Sequence, residues 1–125
     1  MKLVSVVKAT DGVHKLKATF VDDDGRKKTT SFGLKGASDY TIHGDLERRD
    51  RYRDRHAKDL ETNDPTRAGY LSYYLLWNLP SLSASIADYR KRFRLWKAEI
   101  YYRHNLQWPF QYLQQLELHQ ALAQF

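Results

Sequence analysis

The 125-residue chain has no cysteine, one methionine, three prolines and six glycines. The absence of cysteine excludes a disulfide scaffold, thiol catalysis and every cysteine-based zinc site, and it favours a reducing compartment. Long apolar runs are missing too: nothing approaches the roughly 18 consecutive residues of a membrane span. The apolar run before Lys8 is too short for the core of a signal peptide. These absences predict a soluble protein working inside a cell. The length suits a single domain of about 100–150 residues and leaves no room for a catalytic barrel or a full doubly wound dinucleotide fold.

What is abundant is aromatic. Three Trp, nine Tyr and five Phe supplement an apolar share of 42%, enough to pack a core and to exclude pervasive disorder. Leu3 to Val7 reads as a short β-branched strand, and Thr10-Asp11-Gly12 as a turn. Lys15 to Phe20 alternates strictly, placing Leu16, Ala18 and Phe20 on one face. Asp23-Asp24-Gly25-Arg26 is a hairpin signal, and Lys27 to Phe32 completes a meander. Gly33 and Gly36 are expected to break that strand, with a loop over 35–41. Such a sheet needs a cover for its apolar face, so helices must follow.

A charged helix is expected near residues 44–58. Pro65 forbids its continuation, with Asp64 or Thr66 as a cap for a second, largely apolar helix from Arg67 to Asn78. Pro80 falls near the first turn of a third helix, whose stripe Leu82, Ile86, Tyr89, Phe93, Trp96 and Ile100 has helical period over about five turns. Trp108-Pro109 breaks the chain before a Leu/Gln-rich helix from Phe110 to Phe125. The expected architecture is α+β: an N-terminal three-stranded antiparallel β-meander packed against three to four α-helices. The domain division is a single α+β domain over 1–108 and a C-terminal docking helix over 109–125.

Twenty-one Lys plus Arg against 15 Asp plus Glu leave a net charge of +6. The run from Asp45 to His56 is nearly balanced, with Glu47/Arg51 and Asp50/Arg53 at helical spacing. It reads either as a solvated helix laced with ion pairs or as an arginine surface meeting an acidic partner or a phosphate backbone. Arg90 to Lys97 has no acidic neighbour between Asp88 and Glu99 and forms the strongest electrostatic footprint. The candidate partner-binding cations are Arg48, Arg51, Arg55, Arg90, Arg92, Arg94 and Lys97, joined by the apolar Leu113, Leu118 and Leu122 of the last helix. Gly33, Gly36, Asp39, Tyr40, Trp77, Asn78 and Pro80 read as structural. For Asn78 two roles stand: capping the helix that ends at Trp77, or bonding to the Gly33–Tyr40 loop.

Catalytic signatures fail on spacing. Asp22-Asp23-Asp24-Gly25 does not fit a calcium loop, because Phe20 and Ser31 would fall at the outer ligand positions. The histidines match no two-His metal pattern, and neither a phosphate loop nor a Gly-x-Ser-x-Gly elbow occurs. The expectation is a protein that is not an enzyme, with no cofactor, no metal and no small-molecule substrate.

Three blocks add a resemblance. They are Phe32-Gly33-Leu34-Lys35-Gly36-Ala37-Ser38-Asp39-Tyr40-Thr41, the charged stretch ending Arg55-His56, and Leu76-Trp77-Asn78-Leu79-Pro80. Over about residues 28–93 the chain resembles a small uncharacterised family encoded by nucleocytoplasmic large (giant) DNA viruses. It departs from that pattern at Thr62-Asn63-Asp64-Pro65, where the family carries a Trp-containing stretch. The resemblance implies a virion structural protein: a minor capsid component on the inner face of the shell, bound to capsid or other virion proteins. The alternative is a sequence-independent nucleic-acid-binding protein of the virion core or replication site. Its place would be the virion and the cytoplasmic or nuclear assembly site of the host. The basic clusters serve both readings; the apolar last helix favours protein contact.

Overall fold

A computed structural model describes residues 1–96. The expected boundary between 108 and 109, the final helix and the candidates Lys97, Leu113, Leu118 and Leu122 lie outside the described residues.

Strands β1 (Lys2–Lys8), β2 (His14–Val21) and β3 (Lys27–Leu34) form one antiparallel sheet in the order β1-β2-β3, as the alternation predicts. Val6 pairs with Ala18 and Ala18 with Thr30, and a bulge lies between Leu3 and Ser5. The Asp11 carboxylate accepts the Val13 and His14 N–H groups at the first turn. At the second, Asp22 accepts the N–H groups of Asp24 and Arg26 while Gly25 takes φ +86°. Both are side-chain-to-backbone turns of the kind Asp favours.

Gly33 does not break the strand. It sits within β3 at φ +77°, where an added Cβ would come within 2.9 Å of Leu76 Cδ1. Close approach of a helix to the sheet, rather than chain termination, is what this glycine permits. The loop expected over 35–41 also ends early, because Asp39 caps a one-turn helix α1 (Tyr40–His43) by accepting the Thr41 N–H at 2.9 Å. Asp45 caps α2 (Leu46–His56) through the Glu47 and Arg48 N–H groups, so the charged helix forms where its composition places it and continues as a 3₁₀ stretch, Ala57–Thr62.

Asp64 caps no helix; its carboxylate closes a turn onto the N–H and hydroxyl of Thr66. The apolar segment that follows is α3 (Ala68–Leu71) running into a π-helical turn, Ser72–Leu76. The wider π turn brings residues four and five apart onto one face, and Leu71, Leu75 and Leu76 are accordingly all buried. Ser81 caps α4 (Leu82–Phe93) through the Ala84 N–H. Of the stripe expected to continue to Ile100, α4 holds Leu82 to Phe93; Trp96 lies beyond its end, and Ile100 lies outside the described residues. Arg94 adopts φ +57°, a left-handed cap, and Leu95 turns back so that its carbonyl accepts the Leu3 N–H at 3.1 Å.

Leu3, Ala18, Phe20 and Phe32 of the sheet face Leu71, Leu75 and Tyr89 of the helical layer in one core. Tyr89 is fully buried and its hydroxyl donates to the Pro65 carbonyl; that of Tyr70 donates to Leu60 O at 2.8 Å. Buried tyrosines thus bring their own hydrogen-bond donors to loop carbonyls.

Candidate functional site

Helix α2 sorts its arginines by face. A turn of 3.6 residues puts Arg49, Tyr52, Arg53 and His56 on one side and Arg48, Arg51 and Arg55 on another. On the inner side, Tyr52 stacks between His56 (4.1 Å between ring centroids) and Trp77 (4.2 Å, 5° between planes). Burial, and then the nearby Asp59 carboxylate, push the Tyr52 hydroxyl above its ordinary pKa. Arg53 Nη1 donates to the carbonyls of Trp77 (2.8 Å) and Tyr73 (3.4 Å), and its guanidinium lies 4.1 Å from the Tyr73 ring. Arg49 donates to Asn78 O at 3.1 Å. These carbonyls lie at the end of the α3–π segment, where a helix leaves acceptors unpaired and its dipole is negative. The inner arginines are caps for another helix.

The expected Asp50/Arg53 pair is therefore absent, because Arg53 is taken inward and Asp50 pairs with Arg49 at 2.9 Å. On the outer side Arg48, Arg51 and Arg55 are exposed. Arg51 reaches Glu47 at 3.7 Å, the expected pair. The side chains of Arg48 and Arg55 make no hydrogen bond or ion pair among the described residues. The three cations form a ridge spanning about 10 Å along the axis.

The second basic cluster divides differently. Arg90 is not a surface cation: Nε donates to Leu3 O at 3.1 Å and Nη2 reaches Val4 O at 3.5 Å, bracing α4 against the edge of β1. Burial lowers its pKa, and no carboxylate pairs with it among the described residues. Arg92 is held by Asp88 at 3.1 Å and lies 5.0 Å from the Tyr74 ring. Arg94 is exposed on its left-handed cap. Asn78 takes neither role foreseen for it; Nδ2 donates to Asp88 Oδ2 at 3.0 Å, which ties the segment before α4 to that helix.

Sequence reasoning missed the most enclosed charge in the described fold, the Lys15–Asp39 ion pair, in which Asp39 is 2% exposed. The two residues are 24 apart in the chain, and only the register of β2 against the α1 loop brings them together. Two concavities share this pair as a wall. One, of about 440 Å³, reaches Phe32, Gly33, Tyr52 and Trp77. The other, of about 420 Å³, is lined by Leu16, Leu76 and Leu82 together with Lys8, Lys35 and Ile42. Ile42, in the one-turn helix α1, has 65% of its surface exposed, which nothing in the sequence pattern signals.

Two histidines have carboxylates. His14 Nδ1 lies 2.6 Å from Asp11 and His56 Nδ1 lies 3.2 Å from Asp59. Hydrogen bonds from the His14 backbone and ring hold Asp11 far below the usual carboxylate range. Among the described residues no serine or threonine hydroxyl is hydrogen-bonded to either ring, so the geometry orients imidazoles without engaging a nucleophile. No group of three or more His, Asp or Glu able to hold a metal ion occurs among the described residues.

Residues 4–56, which run from β1 to the end of α2, match a family of unknown function (DUF5754). No curated protein and no solved structure matches the chain. The matched segment contains the sheet except for Lys2 and Leu3 of β1, together with the Lys15–Asp39 pair and the arginine ridge. No helix among the described residues is long and apolar enough to cross a membrane.

Proposed function

We propose that this chain is a non-enzymatic adhesive protein of a virus particle, a minor capsid component that holds to the acidic inner face of the shell. The observation that carries the adhesive part is the division of α2. Arg49 and Arg53 serve the fold, whereas Arg48 and Arg55 make no ion pair among the described residues and stand with Arg51 in one outward ridge. A ridge whose one ion pair among the described residues is the exposed Arg51–Glu47 contact, on a chain of net charge +6, fits attraction to an acidic macromolecule. The virion setting rests on the resemblance described above, and the choice of protein over nucleic acid on Leu113, Leu118 and Leu122 of the C-terminal sequence.

The test is the protein content of purified particles after the genome is stripped with nuclease and high salt. Retention with the empty shell, lost in the triple variant R48E/R51E/R55E, is the expected result. Release with the genome would replace the capsid role by nucleic-acid binding, whose affinity falls steeply with salt. Absence from the particle would overturn both.

A further inference from the structure

The groove between the β1–β2 end of the sheet and the helical layer has two features that belong together. Leu16, Leu76 and Leu82 line it together with Ile42, which is largely exposed. An aliphatic side chain left in water beside apolar neighbours is an unfilled contact, since burial is favourable in proportion to the area removed from water. Three lysines, Lys8, Lys15 and Lys35, line the same groove, and the titratable groups facing them are few. Asp39 is committed to Lys15, and the His14 ring to Asp11. Lys8 and Lys35 are exposed and form no ion pair among the described residues.

We propose that this groove docks a short acidic segment of a protein partner, with an apolar or aromatic side chain against Leu16, Leu76, Leu82 and Ile42 and carboxylates at Lys8 and Lys35. The charge complementarity is one-sided, because the only carboxylate lining the groove among the described residues, Asp39, is already paired with Lys15. A nucleic-acid strand would satisfy the lysines and leave the leucines and Ile42 unmatched. The concavity, about 420 Å³, falls within the ordinary range for small ligand sites of about 300–1,000 Å³, which suits one or two anchoring side chains.

The inference deepens the adhesive reading by giving the partner's chemistry, and its test is separable from that reading. Full-length protein is titrated against a dye-labelled hexapeptide, acetyl-Glu-Glu-Leu-Phe-Glu-Glu, by fluorescence anisotropy. Saturable binding is expected. It should weaken about tenfold or more with K8E/K35E, with I42D and when the probe's Leu-Phe is replaced by Ser-Ser, as buried anchors dominate interface energies. It should stay within about twofold in R48E/R51E/R55E, so that failure of the ridge leaves the groove measurable. Should I42D fail to keep the thermal unfolding transition of the parent, I42S replaces it.

No saturation, or equal binding by I42D and the parent, would overturn the proposal. So would sensitivity to the lysines alone, which would reduce the groove to charge attraction. Self-association abolished by I42D would assign the groove to a second copy of the chain, and competition by an oligothymidine would assign it to nucleic acid; either result rejects the acidic segment.

Discussion

The two faces of α2 carry the same residue type for opposite purposes. Arg49 and Arg53 are partly buried and donate to the carbonyls of Asn78, Tyr73 and Trp77. Arg48, Arg51 and Arg55, on the other face of the helix, are exposed, with one long ion pair, Arg51 to Glu47, among the described residues. A guanidinium that enters a fold is justified by acceptors that would otherwise be unpaired. One that stays outside gains little from neighbours, because solvent screens it. Arginine density is thus a poor guide to a binding surface until each cation is assigned an acceptor. The same test removes Arg90 from the candidate surface and leaves Arg94 on it.

If inner charges hold the fold and outer ones do not, the deepest should cost most. Asp39→Ala removes the cap of α1 and strands Lys15 without its carboxylate. A loss of about 3 kcal/mol is expected in urea denaturation, the low end for breaking a buried pair because Lys15 keeps some access to water. Asp39→Asn retains a cap acceptor and should lose less. A drop under about 1 kcal/mol for Asp39→Ala would show that the interior tolerates the unpaired lysine.

Arg53→Ala comes next. It frees two carbonyls at the end of the π turn and the ring face of Tyr73, for an expected loss of about 2 kcal/mol. Arg53→Lys sharpens the comparison, since an ammonium cannot hold two carbonyls and stack on a ring with one planar group. It should recover less than half. Full recovery would mean that charge alone, not the fork of donors, caps the helix.

Ionisation gives a milder and two-sided effect. Hydrogen bonds from the Thr66 hydroxyl and N–H hold Asp64 below the ordinary carboxylate range, and backbone N–H donors do the same for Asp11 and Asp22. A lowered folded pKa gives stability that is complete above the unfolded value, about 3.9, and lost as pH falls through the lowered one. Burial raises the hydroxyls of Tyr89 and Tyr70, so their contribution is complete below about pH 10 and lost as pH rises further. Urea midpoints should be flat from about pH 5 to 9 and fall on both sides. Tyr89→Phe should flatten the alkaline limb while losing the bond to Pro65 O; an unchanged limb would exclude this tyrosine as its source.

The sheet was legible because its signals are local. Alternation through Leu16, Ala18 and Phe20 and the Asp-Gly turn decide face and register within a few residues. Helix α2 was legible as an element but not as two faces, because which carbonyls Arg53 meets depends on where the π turn ends, over 20 residues away. Gly33 was recognised as special for the wrong reason: positive φ was foreseeable, Leu76 against it was not. The stripe through Phe93 and Trp96 has helical period, but the turn at Arg94 is set by the bond from Leu3 at the far end of the described chain. The groove residues Lys8, Lys35 and Ile42 come from three separate elements and have no common motif.

The smallest effect is the one that tests the outer face. Arg48→Ala and Arg55→Ala remove side chains without a hydrogen bond or ion pair among the described residues, so stability should stay within about 0.5 kcal/mol. Arg51→Ala also gives up the contact to Glu47, both partners being well exposed, for about 0.3 kcal/mol that should vanish in high salt. Binding should respond in the opposite order: the triple alanine variant folds like the parent yet loses its attraction to an acidic surface, whereas Arg53→Ala weakens the fold and leaves the outer ridge in place. If the triple variant instead loses as much stability as Arg53→Ala, the ridge is engaged within the fold and the contrast between the two faces of α2 collapses.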